Sequence, residues 1–395
     1  MGFLQTTDKK FCTGCGACVQ ACSFDAIHLV EDEFGFSYPK VTESKCVHCN
    51  RCVNICPIDN PRVVFHNTKE GNAVGGYAKD RAVREASSSG GFFTGIVKAF
   101  WREGAVVFGA EQLSDLSVAH TSADKFEDIN KFRKSKYSPS DTRRTFVEVK
   151  GLLEEGRRVI YSGTPCQVAG LLSYLGRNFD NLLTIDLVCH GHFAPRYFRM
   201  ERAYYEKKFK SRAIGFEYRD KTNGHWKGHV VSWKFANGKR KCWQQKDAPY
   251  YRVWLAHLIS RPSCMNCRFA VANRVADISI GDYWHVPETS IMYGGNHGTS
   301  VAFGNTGKGR LILERLKGSY VWEAVDRNRM TAYKLAMHGS IKANPRSAEA
   351  MDDLLRLSYC QFVRKWCKDG FLVRAIRFVR KFVRGAKVKT GTRGK

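Results

Sequence analysis

The sequence predicts an α+β module built around cysteines, then a mixed α/β domain, then a basic helical segment. Three observations predict it. Eight of fifteen cysteines fall within residues 1–65, in a doubled run. Between 78 and 345, short apolar runs alternate with helical stretches, and after 346 the pattern is helical and rich in Lys and Arg. The chain has 395 residues and a formal charge of +27. No stretch resembles a signal peptide and no run of about 18 apolar residues is present, so the expected location is cytoplasmic. Thiols stay reduced there, and clustered cysteines point to metal or catalysis rather than disulfides.

The first element is the doubled run. Cys12, Cys15, Cys18 and Cys22 carry a 2-2-3 spacing, repeated by Cys46, Cys49, Cys52 and Cys56, with Pro57 following. This is the spacing of bacterial two-cluster ferredoxins, in which the fourth cysteine of each run ligates the other cluster. Cluster I is therefore assigned to Cys12, Cys15, Cys18 and Cys56, and cluster II to Cys46, Cys49, Cys52 and Cys22. Gly14 and Gly16 relieve crowding where the backbone bends. Residues 25–45 fit a hairpin between the two halves. A pair of zinc sites is the alternative, but zinc needs two C-x-x-C pairs and not this repeated run. Each cubane with four thiolates carries 2 − 4 = −2, so two or three clusters lower the net charge to about +23 or +21. The protein stays basic, which favours acidic partners.

Residues 66–77 read as a linker, with Gly75-Gly76 near its end. In the 78–345 domain, residues 105–109, 158–161 and 182–188 read as buried strands, each preceded by a helix. Residues 214–243 alternate in polarity and turn at Asn237-Gly238, as a hairpin does. Cys166 and Cys189 each follow a predicted strand, and Cys264 and Cys267 form a C-x-x-C. Ligands gather at the carboxyl ends of strands in open α/β sheets. A third metal site, a redox disulfide and inert buried thiols all fit this second set.

With the ordered motifs in view, the chain resembles the coenzyme F-420 (deazaflavin) hydrogenase/dehydrogenase beta-subunit family, in its bacterial type with an N-terminal two-cluster ferredoxin domain. The motifs are Ser87-Ser88-Ser89-Gly90-Gly91, Lys136-Tyr137-Ser138, Thr164-Pro165-Cys166-Gln167, Cys189-His190-Gly191, Cys264-Met265-Asn266-Cys267 and Gly281-Asp282-Tyr283-Trp284. The resemblance runs from about residue 8 to 345. It implies a third [4Fe–4S] cluster on Cys166, Cys189, Cys264 and Cys267, and FAD in the same domain. His285 stands where the family's last motif has glycine. The expected architecture becomes an α+β ferredoxin-like module (1–65), a linker (66–77), a mixed α/β flavin and iron–sulfur domain (78–345) and a basic amphipathic helical tail (346–395).

A flavin site is expected at Ser88, Ser89, Gly90 and Gly91, whose N–H groups at a helix start suit a pyrophosphate. Lys136 is expected to neutralise phosphate or a reduced flavin, Thr164 to donate to the ring, and Asp282 to bond hydroxyls. Taken without the family, these residues equally suit an ordinary helix cap and a solvated lysine. His190 and His192 are the candidate proton donors, since imidazole titrates near neutral pH. A structural role beside Cys189 is their alternative.

Clusters pass single electrons and flavins accept one or two, so the expected function is an iron–sulfur flavoprotein oxidoreductase acting on an organic substrate. Related bacterial chains are often encoded with surface-polysaccharide enzymes, which makes a nucleotide- or lipid-linked sugar the expected substrate. The alternative is an electron-transfer subunit of a hydrogenase or dehydrogenase. An external donor or acceptor such as ferredoxin is expected either way. From 361 to 395 there are 12 Lys or Arg against one acidic residue, and Leu372, Ile376, Val379 and Val383 recur at helical spacing. This fits a helix on an anionic membrane surface, or one packed on its own domain. No nucleic-acid-binding module appears.

Overall fold

The computed structural model describes residues 3–58, 60, 63–66, 73–221, 225–328 and 337–367. The first cysteine run wraps between a 3-10 turn (Lys9–Phe11) and a short helix (Ala17–Ala21). Gly14 and Gly16 take φ of +72° and +79°, and a Cβ on Gly16 would strike the Thr142 hydroxyl. In the second run His48 and Asn50 hold the left-handed conformation instead. Between the runs lies the expected hairpin, β1 (Ile27–Glu31) against β2 (Ser37–Val41). The Asp32 carboxylate accepts the N–H groups of Phe34 and Phe36 and so closes its turn.

The remaining strands are β3 (Ala73–Ala78), β4 (Val106–Gln112), β5 (Val118–Ala123), β6 (Ser140–Asp141), β7 (Val159–Gly163), β8 (Leu182–Leu187), β9 (Ala213–Asp220), β10 (Val230–Phe235), β11 (Arg240–Gln244), β12 (Ile278–Asp282), β13 (Ser300–Gly304) and β14 (Tyr320–Val325). Nine form one sheet in the order β14-β3-β13-β12-β8-β7-β4-β5-β6. Its centre, β12-β8-β7-β4, is parallel. The three strands read from the sequence are β4, β7 and β8, and each follows a helix: Phe92–Phe100, Thr145–Glu154 and Pro165–Leu175. β9, β10 and β11 form a separate antiparallel sheet whose last turn runs through Gly238 at φ +79°.

Alternation along the central strands divides the core. Phe108 and Tyr161 face Phe146, Val149 and Leu171, while Val107 and Ile160 face Phe92, Ile96 and Val97. The first face also takes Ala17, Ala21, Ile55 and Val63, so the cysteine module has no separate core. Buried polar groups stitch the same seam. The Gln20 amide donates to the Thr142 hydroxyl and accepts from the Phe146 N–H, and Thr142 donates to the Cys15 carbonyl. Ser173 takes a bond from Asn60 and gives one to the Ile55 carbonyl.

Two expectations change. The second half of the proposed linker is β3, a buried strand inside the large sheet. Gly75 and Gly76 sit there because neighbours fill the space of their missing side chains: Tyr283 and Met292 lie within 3 Å of a Cβ on Gly75. Residues 67–72 lie outside the described residues. In the C-terminal segment, helices Ser347–Arg356 and Tyr359–Trp366 pack on the Pro195–Phe209 helix through Ala350, Leu354 and Phe362. The basic tail from 368 onward lies outside the described residues. No helix among the described residues is long and apolar enough to cross a membrane.

Glu201 anchors that C-terminal packing. It is fully buried and accepts from Trp233 Nε1 (2.9 Å) and the Tyr359 hydroxyl (3.2 Å). Burial pushes its carboxyl up to about 7, against these hydrogen bonds. The folded value lies above the unfolded one, so the folded chain holds more protons between the two and stability falls as pH rises from about 4.5 to 7. The cost is fully present above that window, on the order of 3 kcal/mol. Anaerobic thermal melts at pH 5 and pH 8 should therefore show a drop in the wild type that is smaller in Glu201→Gln.

Candidate functional site

The first-run thiols Cys12, Cys15 and Cys18 line one small cavity with Cys56, the last thiol of the second run. This is the set expected for cluster I. Phe3, Leu4, Phe11 and Leu29 give it an apolar lining. The second-run thiols lie nearer the surface, with Cys49 exposed. Burial raises the Cys52 thiol, and the nearby Cys22 and Cys49 raise it further.

Cys166, Cys189, Cys264 and Cys267 line a second small cavity together. Three strands bring them there. Cys166 opens the helix after β7, Cys189 follows β8, and ahead of β12 Cys264 sits in a 3-10 turn (Pro262–Asn266) that Cys267 caps. Arg274 holds the loops in place: its guanidinium donates to Asp186 (2.9 Å) and to the carbonyls of Leu187 and Phe269. Burial pushes the Cys264 thiol up to about 12 and Cys267 to about 11. Donors already face the sulfurs. The N–H groups of His192 and Gly191 reach Cys264 and Cys189 at 3.3 and 3.4 Å, and the Thr164 hydroxyl lies 3.2 Å from Cys166. Four thiols around one hollow with N–H donors aimed at them fit a cubane, which spreads its thiolates over four irons. Among the described residues no group of three His, Cys, Asp or Glu side chains could hold a single metal ion.

Beyond this wall lies a much larger cavity, ≈ 350 Å³, at the carboxyl ends of β4, β7, β8 and β12. Ser88, Ser89, Gly91, Lys136, Thr164, Asp282, His190 and His192 all line it, and Cys189 belongs to both cavities. The volume lies within the range of cofactor sites. Gly90 does not line it. Its N–H donates to Ser300 Oγ at 2.9 Å, and a Cβ there would meet the Gly76 carbonyl at 2.5 Å. The helix is capped by Gly91 and not by serine. Ser88 accepts from the N–H of Ser135, and Ser89 donates to the Thr299 carbonyl. Thr164 shares its hydroxyl between Gln167 and Cys166.

Asp282 already has protein partners. Arg219 forks onto it at 2.7 and 3.1 Å, and Trp226 donates at 2.8 Å. The arrangement carries Trp284, stacked 4.8 Å from Trp226, onto the cavity wall. Burial pushes the His192 imidazole down to about 4, so it is neutral at pH 7. Sequence reasoning missed His120, which is buried, lines the cavity and bonds Ser140 and the Ser162 carbonyl. It also missed Arg219. Neither stands in a motif, and only the fold brings them to the site.

Residues 156–328 match the family model for the C terminus of the coenzyme F420 hydrogenase/dehydrogenase beta subunit, and residues 11–60 match the 4Fe-4S dicluster domain. The chain is 46% identical over 46 residues to one component of the Na(+)-translocating ferredoxin:NAD(+) oxidoreductase complex of Acetobacterium woodii. That match covers 12% of this chain and 13% of the relative, so the chain spans only a small part of that protein's length. A chain of the F420-reducing [NiFe] hydrogenase complex from Methanosarcina barkeri aligns over 78% of this chain and 94% of its own, at 18% identity and a TM-score of 0.43.

Lys136 generates a pH prediction. Its ammonium donates to the carbonyls of Lys131 (2.9 Å) and Arg133 (2.8 Å), which leaves one of its three donors for the cavity. Burial pushes it down to about 7. An anionic cofactor held there should bind more weakly as pH rises from 6 to 8, as the ammonium loses its proton. Lys136→Met should weaken the binding of such an anion at pH 6 on the order of tenfold, the worth of one charge-assisted hydrogen bond, and flatten the pH dependence. Fluorescence titration of FAD against the anaerobic protein checks both.

Proposed function

We propose that this chain, a 4Fe-4S dicluster domain joined to the C-terminal domain of coenzyme F420 hydrogenase/dehydrogenase beta subunits, passes electrons from its N-terminal clusters through a third cluster to FAD in the large cavity. It is an iron–sulfur electron-transfer protein of the oxidoreductase type. The finer reading is an electron-transfer subunit that exchanges electrons with a separate hydrogenase or dehydrogenase partner, or with a soluble carrier such as ferredoxin. One observation carries it: Cys189 lines both the four-thiol hollow and the large cavity, while Thr13, beside Cys12, lines that same hollow. A cluster there would stand between the N-terminal module and the cavity.

The clusters would supply one-electron steps and the flavin one- or two-electron steps. The chain's own residues bind, orient and exclude water. Cys12, Cys15, Cys18 and Cys56 would hold cluster I; Cys46, Cys49, Cys52 and Cys22, cluster II; Cys166, Cys189, Cys264 and Cys267, the third. The cation of Lys136 and the polar wall of Ser87, Ser88 and Ser89 would take the flavin's phosphates. Arg219 and Asp282 lock Trp284 against the cavity, and His190 and His192 remain the candidate proton-bearing groups beside Cys189. A second reading has an organic substrate, such as a nucleotide- or lipid-linked sugar, reduced in the same cavity. The partly exposed ring of Trp284 favours it, since it offers an apolar face to a second bound molecule.

Anaerobic purification with iron, sulfide and flavin quantified together tests the proposal. About 12 iron per chain and one FAD are expected, falling to about eight iron in Cys264→Ser. Eight iron and no flavin in the wild type would overturn it. Turnover of a sugar substrate by the isolated chain would favour the second reading; a stable redox partner in an anaerobic pull-down, with no such turnover, favours the first.

A further inference from the structure

Arg261 precedes the C-x-x-C and is 3% exposed. Its backbone belongs to the large domain: its N–H donates to the His192 carbonyl and its carbonyl accepts the Cys264 N–H. Its side chain crosses into the cysteine module. Nε donates to the Cys12 carbonyl (2.9 Å), Nη2 donates to the Ser37 carbonyl (2.9 Å), and Nη2 also lies 3.6 Å from Cys12 Sγ. The guanidinium stacks 4.4 Å from the Tyr38 ring, and Gly14 lets it lie against the loop, since a Cβ there would come within 3.2 Å of Nη2. Among the described residues no carboxylate pairs with it.

A buried, unpaired guanidinium is costly unless something anionic stands beside it. Carbonyl oxygens satisfy its hydrogen bonds but leave its charge unbalanced. The sulfur of Cys12 lies beside it, and its positive charge reaches the Cys166 and Cys264 thiols of the hollow, favouring their thiolates. A four-thiolate cubane carries a net charge of about −2 oxidised and −3 reduced, so each would supply the missing countercharge.

We propose that Arg261 is the positioning residue between cluster I and the third cluster, its guanidinium serving as their shared countercharge. One electron leaves reduced cluster I, which returns to its oxidised 2+ core, and enters the third cluster, whose core falls from 2+ to 1+. No proton need move. The positive charge stays fixed beside both ends and offsets the extra negative charge wherever the electron sits. It therefore raises the potential of the Cys12 cluster, as added positive charge and N–H donors to sulfur do. The part concerning the third cluster rests on the function proposed above; the part concerning the Cys12 cluster needs only the dicluster domain.

The test is a redox titration of the full chain with dithionite, followed by electron paramagnetic resonance, with iron counted in each sample. In Arg261→Gln the midpoint of the cluster I signal should shift to lower potential at unchanged iron content. Arg261→Lys keeps the charge but loses the fork, and should shift it less. A wild-type midpoint in an iron-replete variant overturns the proposal, and so does loss of iron from both variants, which would assign the residue to the fold alone. Repeating the Arg261→Gln measurement in a Cys264→Ser background separates the two readings. A wild type with only about eight iron sinks the third cluster, yet the cluster I shift still decides the role of Arg261.

Discussion

The whole arrangement depends on one seam, where the cysteine module and the large sheet share a core. Gln20 is central to it, because its amide bonds Thr142 and Phe146 in a place from which water is excluded. An unpaired buried amide costs about 1–3 kcal/mol, so the two parts hold one register rather than slide. A Cβ on Gly170 would come within 3.0 Å of Cys15 Sγ. Cluster-bearing loops on a flexible tether would leave the separation of redox centres to chance. Here it is set by packed side chains.

Burial then decides the chemistry of every group at the site. It raises the thiols of Cys166, Cys189, Cys264 and Cys267, so that without metal they are protonated and poor nucleophiles. It lowers His192, His120 and Lys136 toward neutrality. The fixed charges of the cavity wall are then Arg133, Lys134 paired with Glu217, and the Arg219–Asp282 pair, and a charged cofactor brings its own field into a medium that screens it little.

The sequence made the two N-terminal cysteine runs visible because iron–sulfur chemistry demands a spacing, and spacing survives in one dimension. The strands β4, β7 and β8 were legible for a related reason: fully buried parallel strands read as unbroken apolar runs. β3 was not legible. Its glycines look like loop punctuation, and only Tyr283 and Met292, two hundred residues away in sequence, explain why no side chain fits. The same holds within the site. Lys136 stood out beside its neighbouring basic residues, but that Asp282 is engaged by Arg219 and Trp226 follows from the placement of β9 and β12, which no local pattern encodes. Gly90 was placed in the cofactor loop for its N–H group, whereas that N–H bonds Ser300 and the missing side chain lets two backbones approach.

The thiols of the hollow come from three separate segments, at Cys166, Cys189 and the Cys264–Cys267 turn. The N-terminal runs are compact in sequence, although their loops pack on the large sheet and share its core. The hollow exists only after β12 has docked beside β8, which requires the chain through at least residue 282. The hollow therefore closes late, when thiols from three separate segments converge and burial in the fold makes them unreactive. A cluster proposed for that hollow would have to be delivered to an already folded client.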